Sequence, residues 1–157
     1  MSLNHSLLAA QGYLELEMMD EALHELETLT ESERNLAEVL HMRLFIMMRL
    51  QRWEEAVTAA GKLRGVCPEG SDGYIQGAFC LHEMGRTEEA RMLLLESPAA
   101  LRDEPTFHYN LACYEAVLGN VQDATKHLQT SFRMDHHFRE LAKADPDLEP
   151  VRDFLES

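Results

Sequence analysis

The chain has 157 residues, 45% of them apolar, which is enough for one domain with a substantial core. Its 14 Lys and Arg face 28 Asp and Glu, a formal net charge of −14 that repels polyanions, so neither nucleic acid nor anionic membrane is an expected partner. The longest apolar run is only Leu44 to Met48, and the N-terminal stretch lacks the basic region, apolar core and cleavage site of a signal peptide, so no membrane span or leader is expected.

In chain order, Leu7, Leu8, Ala10, Leu14 and Leu16 recur at helical spacing up to about residue 17, and a second helix is predicted over 19–29. In the polar link that follows, Thr30-x-x-Glu33 and Ser32 offer capping chemistry for the next helix, predicted over 35–50. That helix carries Leu40, Leu44 and Met47 on one stripe and His41, Phe45 and Met48 on another. Being apolar most of the way round, it is expected to be buried on two sides or to present an apolar face to something. Its partner, over 53–64, opens with Glu54 and Glu55, carboxylates that the positive end of the helix dipole favours. Gly65, Pro68, Gly70 and Gly73 punctuate the middle of the chain, and Ser71 is the expected N-cap of a helix over 72–84. Gly77 within that helix costs helical propensity and implies close packing against a neighbour.

A short helix over 88–96 is stopped by Ser97-Pro98. The next pair covers 107–118 and 121–134, joined at Gly119-Asn120, with Asn120 and Asp123 at the spacing of a cap and its acceptor. Beyond residue 136, Phe138, Leu141, Leu148, Val151, Phe154 and Leu155 form an apolar stripe, and Asp145-Pro146 and Glu149-Pro150 each offer a helix start. This tail reads as one or two short helices that cover the end of a stack.

The alanines Ala22, Ala56, Ala90 and Ala124 stand 34 residues apart, each after an acidic residue, and Leu26, Ala60, Leu94 and Leu128 recur four positions later. Twelve positions before each alanine stands a small residue in three copies (Ala10, Ala78, Ala112), with Leu44 in the other. Leu16, Leu50, Met84 and Leu118 come six before, followed directly by Gly85 and Gly119 in the last two copies. This is the pattern of a helix, a tight turn and a second, antiparallel helix.

On these residues the chain resembles the tetratricopeptide repeat (TPR) family over roughly residues 3 to 136. The fourth copy, from Tyr109-Asn110-Leu111-Ala112 through Leu118-Gly119-Asn120 to Asp123-Ala124, comes nearest to the family pattern. The second has Trp53 before Glu54-Glu55-Ala56 and closes on Pro68. The first departs from it, with Ser6 where a large aromatic is expected and Glu17 where the turn glycine would stand, as terminal repeats often do. The resemblance implies an all-α fold: an α-solenoid of about four helix hairpins (3–35, 36–70, 71–104 and 105–136) with a C-terminal helical cap over 137–157, in a single domain spanning 1–157.

The family geometry further implies that the first helix of each hairpin lines a concave face. The residues it would place there include Leu7, Gln11 and Leu14, then His41, Phe45 and Met48, then Ile75, Phe79 and His82, and finally Tyr109 and Cys113. Such a row is strongly apolar, and an exposed stripe of that size marks a partner site unless the tail, tight curvature or a dimer covers it. Some family members grip a C-terminal carboxylate with groove cations. Here Glu38 and Asp72 take the rim positions and Arg49 is the only basic residue near the row, so that clamp is not expected.

Neither catalysis nor a cofactor is expected. Cys67, Cys80 and Cys113 are odd in number, widely spaced and without a Cys-x-x-Cys pair, so they read as reduced thiols of a cytoplasmic protein. His41 and His82 lack metal-ligand spacing, and His136-His137 points adjacent side chains in different directions, so no metal site is expected. The sequence thus predicts a non-catalytic, cytoplasmic interaction module, monomer or homodimer, that binds a peptide or helical segment of a protein partner. That segment is apolar where it meets the groove and basic at its flanks. A small chaperone for a hydrophobic client and a structural homo-oligomer are the alternatives.

Overall fold

A computed structural model describes residues 2–157 and contains eleven α-helices and no strand among them. The chain forms two compact units, one running to Cys80 and the other starting at Leu81.

The first unit contains α1 (Leu3–Glu15), α2 (Met19–Glu27), α3 (Glu31–Arg34), α4 (Ala37–Arg49), α5 (Trp53–Val66) and the start of α6 (Asp72–Glu83). α1 pairs with α2 and α4 with α5. The second unit contains the rest of α6, α7 (Thr87–Leu95), α8 (Pro105–Val117), α9 (Val121–Met134), α10 (His137–Lys143) and α11 (Arg152–Glu156), with 3₁₀ turns at Ala99–Asp103 and Pro146–Val151. Its principal hairpin is α8 against α9.

The turn between paired helices is the same motif four times. Glu17, Gln51, Gly85 and Gly119 all hold positive φ, at 57°, 56°, 79° and 87°, each 34 residues from the last. Next to each, the amide of Met18, Arg52, Arg86 or Asn120 donates back to the carbonyl of Tyr13, Met47, Leu81 or Glu115 at 2.8–2.9 Å. This is the Schellman closure, which satisfies the last carbonyls of one helix while reversing the chain into the next. Glycine fills the left-handed position in only two copies, so the hydrogen bonds and packing around the turn impose the conformation on Glu17 and Gln51.

Behind each turn lies its alanine. Ala22, Ala56, Ala90 and Ala124 are completely buried, as are Ala10, Ala78 and Ala112, and Leu44 is 3% exposed. Small residues at these positions let helices pack closely, and Leu26, Leu40, Ile46, Met47 and Leu63 fill the remaining space in the first unit. Gly73 is not loop punctuation but a buried residue inside α6, and a Cβ there would lie 2.7 Å from Arg64 Cγ of α5.

The capping chemistry differs from the sequence reading in two places. Thr30 and Glu33 form a reciprocal capping box, but it closes the one-turn α3, and α4 begins after Leu36 with no side-chain cap. Asn120 does not cap α9. Its amide donates to Glu115 Oε1 at 3.3 Å. The corresponding position is an arginine in two other copies, where Arg52 and Arg86 chelate the first-turn carboxylates of Glu55 and Glu89. At the other ends, Arg34 and Arg102 turn their guanidinium groups onto the final carbonyls of α2 and α7.

In the tail, Leu148, Val151, Leu155 and Ala142 are buried, and Leu141, expected on the apolar stripe, is 58% exposed. Asp145-Pro146 opens the second 3₁₀ turn, which packs on α8 and α9, and Pro150 lies inside that turn rather than starting a helix.

Candidate functional site

The two units present the predicted row differently. In the first, α4 runs between α1 and α6 with Phe45 on its outer face, 45% exposed. On one side of Phe45 is a hollow of about 430 Å³ lined by His41, Leu44, Phe45, Met48, Arg49, Trp53, Asp72, Gln76 and Phe79. On the other is a shallower one of about 370 Å³, lined by Gln11, Leu14, Glu15, His41, Met42 and Phe45. His41 and Phe45 belong to both, so the phenyl ring is the ridge between them.

The local sequence accounts for this surface. α4 is apolar nearly all round: Val39, Leu40, Leu44, Ile46 and Met47 satisfy the core, which leaves Phe45 and Met48 for the opposite face. Trp53 begins α5 directly after the Schellman turn and meets Phe79 of α6 edge-on, ring centroids 6.0 Å apart. The polar rim is sparse. His41 Nδ1 lies 3.3 Å from Asp72 Oδ2. Arg49 lies over the Phe45 ring at 5.9 Å and donates to Glu17 Oε1 at 3.1 Å.

Of the predicted residues in this unit, Gln11, Leu14, His41, Phe45, Met48 and Phe79 line the two hollows. Leu7, within α1, is half-buried against the core and lines neither. Ile75, 5% exposed, belongs to the interior, and Gln76 one position on faces the larger hollow instead. The sequence reading used Trp53 only as a repeat landmark and missed it as a wall of the site. The signal was there in the only tryptophan of the chain, placed one helix turn before the small Ala56.

In the second unit, Tyr109 and Cys113, expected on an open groove, are 8% and 5% exposed, and the tail covers them. Tyr109 donates to Asp145 Oδ2 at 2.7 Å and packs on Phe138 with ring centroids 5.1 Å apart. Cys113 Sγ lies 3.6 Å from the same oxygen. His82, also predicted for the open face, bridges Thr87 Oγ1 at 2.9 Å and Asp147 Oδ2 at 2.8 Å. Burial, reinforced by the carboxylates of Asp145 and Asp147, raises the Cys113 thiol far above its ordinary range. Burial and then the bond to Asp145 do the same to the Tyr109 hydroxyl. A thiol held protonated in this way is a poor nucleophile.

Cys113, Asp145 and Asp147 bring one ligand atom each within 4.8 Å of one another. Each is already engaged: Asp145 accepts from Tyr109, from the Cys113 thiol and from the amide of Asp147, and Asp147 pairs with His82. The cluster anchors the tail and caps its 3₁₀ turn.

No protein-family model and no curated protein sequence matches the chain. Solved structures do. A crystal structure of MamA protein superposes with a TM-score of 0.83 at 13% identity, covering 98% of this chain and 86% of that one. MamA from Desulfovibrio magneticus RS-1, residue 41 to its end, gives 0.82 at 17% identity over 98% of this chain and 83% of that one. TTC0263, a thermophilic TPR protein of Thermus thermophilus, gives 0.69 at 17% identity over 99% and 82%. The chain thus has the all-α helical-repeat fold of these tetratricopeptide-type structures. No helix among the described residues is long and apolar enough to cross a membrane.

Proposed function

We propose that the protein is a non-catalytic interaction module that binds an apolar segment of a protein partner on the open face of its first unit. The observation that carries this reading is the pair of apolar hollows around Phe45, a large aromatic residue left 45% exposed beside a hollow that Trp53 and Phe79 also line. Nearly half of a phenyl ring in water is a cost that a bound apolar group removes, at about 25 cal/mol per Å² covered. The solved structures of similar fold support a scaffold role. The reading of residues 1–157 as one repeat domain belongs to the same proposal.

Phe45→Glu and Phe79→Glu test it. Light scattering on the wild type and both variants, with circular dichroism to check helical content, separates the outcomes. The proposal predicts unchanged mass and helicity, with loss of binding to apolar peptides. A fall in oligomer mass for either variant would instead assign the hollow to contact between copies of the chain.

A further inference from the structure

We infer that the occupant of this face is an amphipathic helix carrying two apolar anchors seven residues apart, a small residue between them, and a Lys or Arg near each end. This deepens the proposed function and rests on it. The hollows lie in the two grooves that flank α4, one toward α1 and one toward α6. An α-helix with its side chains is about 10–12 Å across, so the grooves on the two flanks of α4 are separated by about that distance. Two positions seven apart on an α-helix are about 10.5 Å from one another and point the same way, whereas four apart gives only about 6 Å. An extended segment covers that distance in about three residues, which aims the two side chains at opposite faces. A helix is therefore the conformation that fills both hollows from one side. Phe45 stands between them and meets the middle of the helix, where only a small side chain fits over the ridge.

The charges set the flanks. Glu15 lines the hollow toward α1 and Asp72 the hollow toward α6. Arg49, the one Lys or Arg lining either hollow, is already paired with Glu17. Across residues 2–80, 13 Asp and Glu outnumber 6 Lys and Arg. A cation at each end of the helix complements both rims, and acidic ends are repelled.

The test uses lactam-stapled peptide helices titrated against the full-length protein, with fluorescence of Trp53, the only tryptophan, as the readout. The lead peptide has leucines at i and i+7, alanine over the ridge and lysines at both ends. Controls move the second leucine to i+4, remove it, or exchange lysine for glutamate. The expected result is binding at least about tenfold tighter for the lead than for the i+4 and single-leucine controls, as the loss of one buried leucine dictates. The glutamate-ended peptide should bind more weakly, with a gap that closes as salt is raised. Phe45→Ala, which removes the ridge, should erase the preference for i+7 over i+4.

Equal binding of the two spacings to the wild type, lost in Phe79→Glu, overturns the two-anchor inference and leaves the apolar face as a binding site. Equal affinity for lysine and glutamate ends overturns the assignment of charge. If no peptide alters Trp53 emission or binds, the inference and the proposed function fall together.

Discussion

Glu17 and Gln51 hold left-handed backbone conformations that a side chain disfavours by about 1–2 kcal/mol, at positions where the other two copies carry Gly85 and Gly119. The amide of the following residue donates into the preceding helix in all four copies, so the turn is the same with or without glycine. Replacing Gln51 by glycine should therefore stabilise the first unit by about 1 kcal/mol, the relief of strain being partly offset by the freer unfolded chain. Gly119→Ala should destabilise the second unit by a similar amount. Urea denaturation of the two variants against wild type measures both, and a stabilising Gly119→Ala would mean that the turn is not held as described. The repeat was legible at this scale because alanine and leucine recur at fixed spacing. The turn in the first two copies was harder to read, because hydrogen bonds rather than glycine enforce it.

At the scale of elements, the α8–α9 hairpin carries a histidine pair. His108 Nδ1 lies 3.3 Å from His127 Nδ1, with the rings stacked at 27°, while His108 Nε2 bonds the carbonyl of Arg102 at 2.8 Å. That carbonyl only accepts, so His108 carries its proton on Nε2 and takes the Nδ1–H of His127. Burial, then His108, holds His127 below its ordinary value of 6.5, and Arg91 acts in the same sense against the opposing pull of Glu115 and Asp123. The unfolded chain thus binds a proton at a pH where the folded hairpin does not. Its stabilising effect is complete above pH 6.5 and is lost as pH falls through the depressed folded value. Thermal melts should show lower stability at about pH 5.5 than at about pH 7.5, with a smaller difference in His127→Gln, and an unchanged pH dependence in that variant would exclude the pair as the cause. Element bounds were legible within about two residues, as expected of periodicity. The capping assignments were less so. Asn120 had the right spacing to cap α9 but is drawn away by Glu115, a buried carboxylate that also pairs with Arg91 from another helix.

For the molecule as a whole, the 34-residue period was sufficient to read helical hairpins of tetratricopeptide type, because it is a property of spacing alone. Which part of the apolar row stays open was not legible. Phe45 and Cys113 stand at equivalent positions two periods apart, and the tail, through Asp145 and Phe138, covers Cys113 and the neighbouring Tyr109 in the second unit. The tail's apolar stripe announced that it would cover something, and no local motif named Tyr109 and Cys113 as what it covers. The most direct measurement of the account is two-dimensional NMR of the 18.0 kDa chain, titrated with a lysine-flanked, leucine-anchored helical peptide. Shifts centred on Gln11, His41, Phe45, Trp53 and Phe79 are expected, with Tyr109, Cys113 and residues 137–157 unmoved. Shifts centred on Tyr109 and Cys113, with release of the tail, would contradict it.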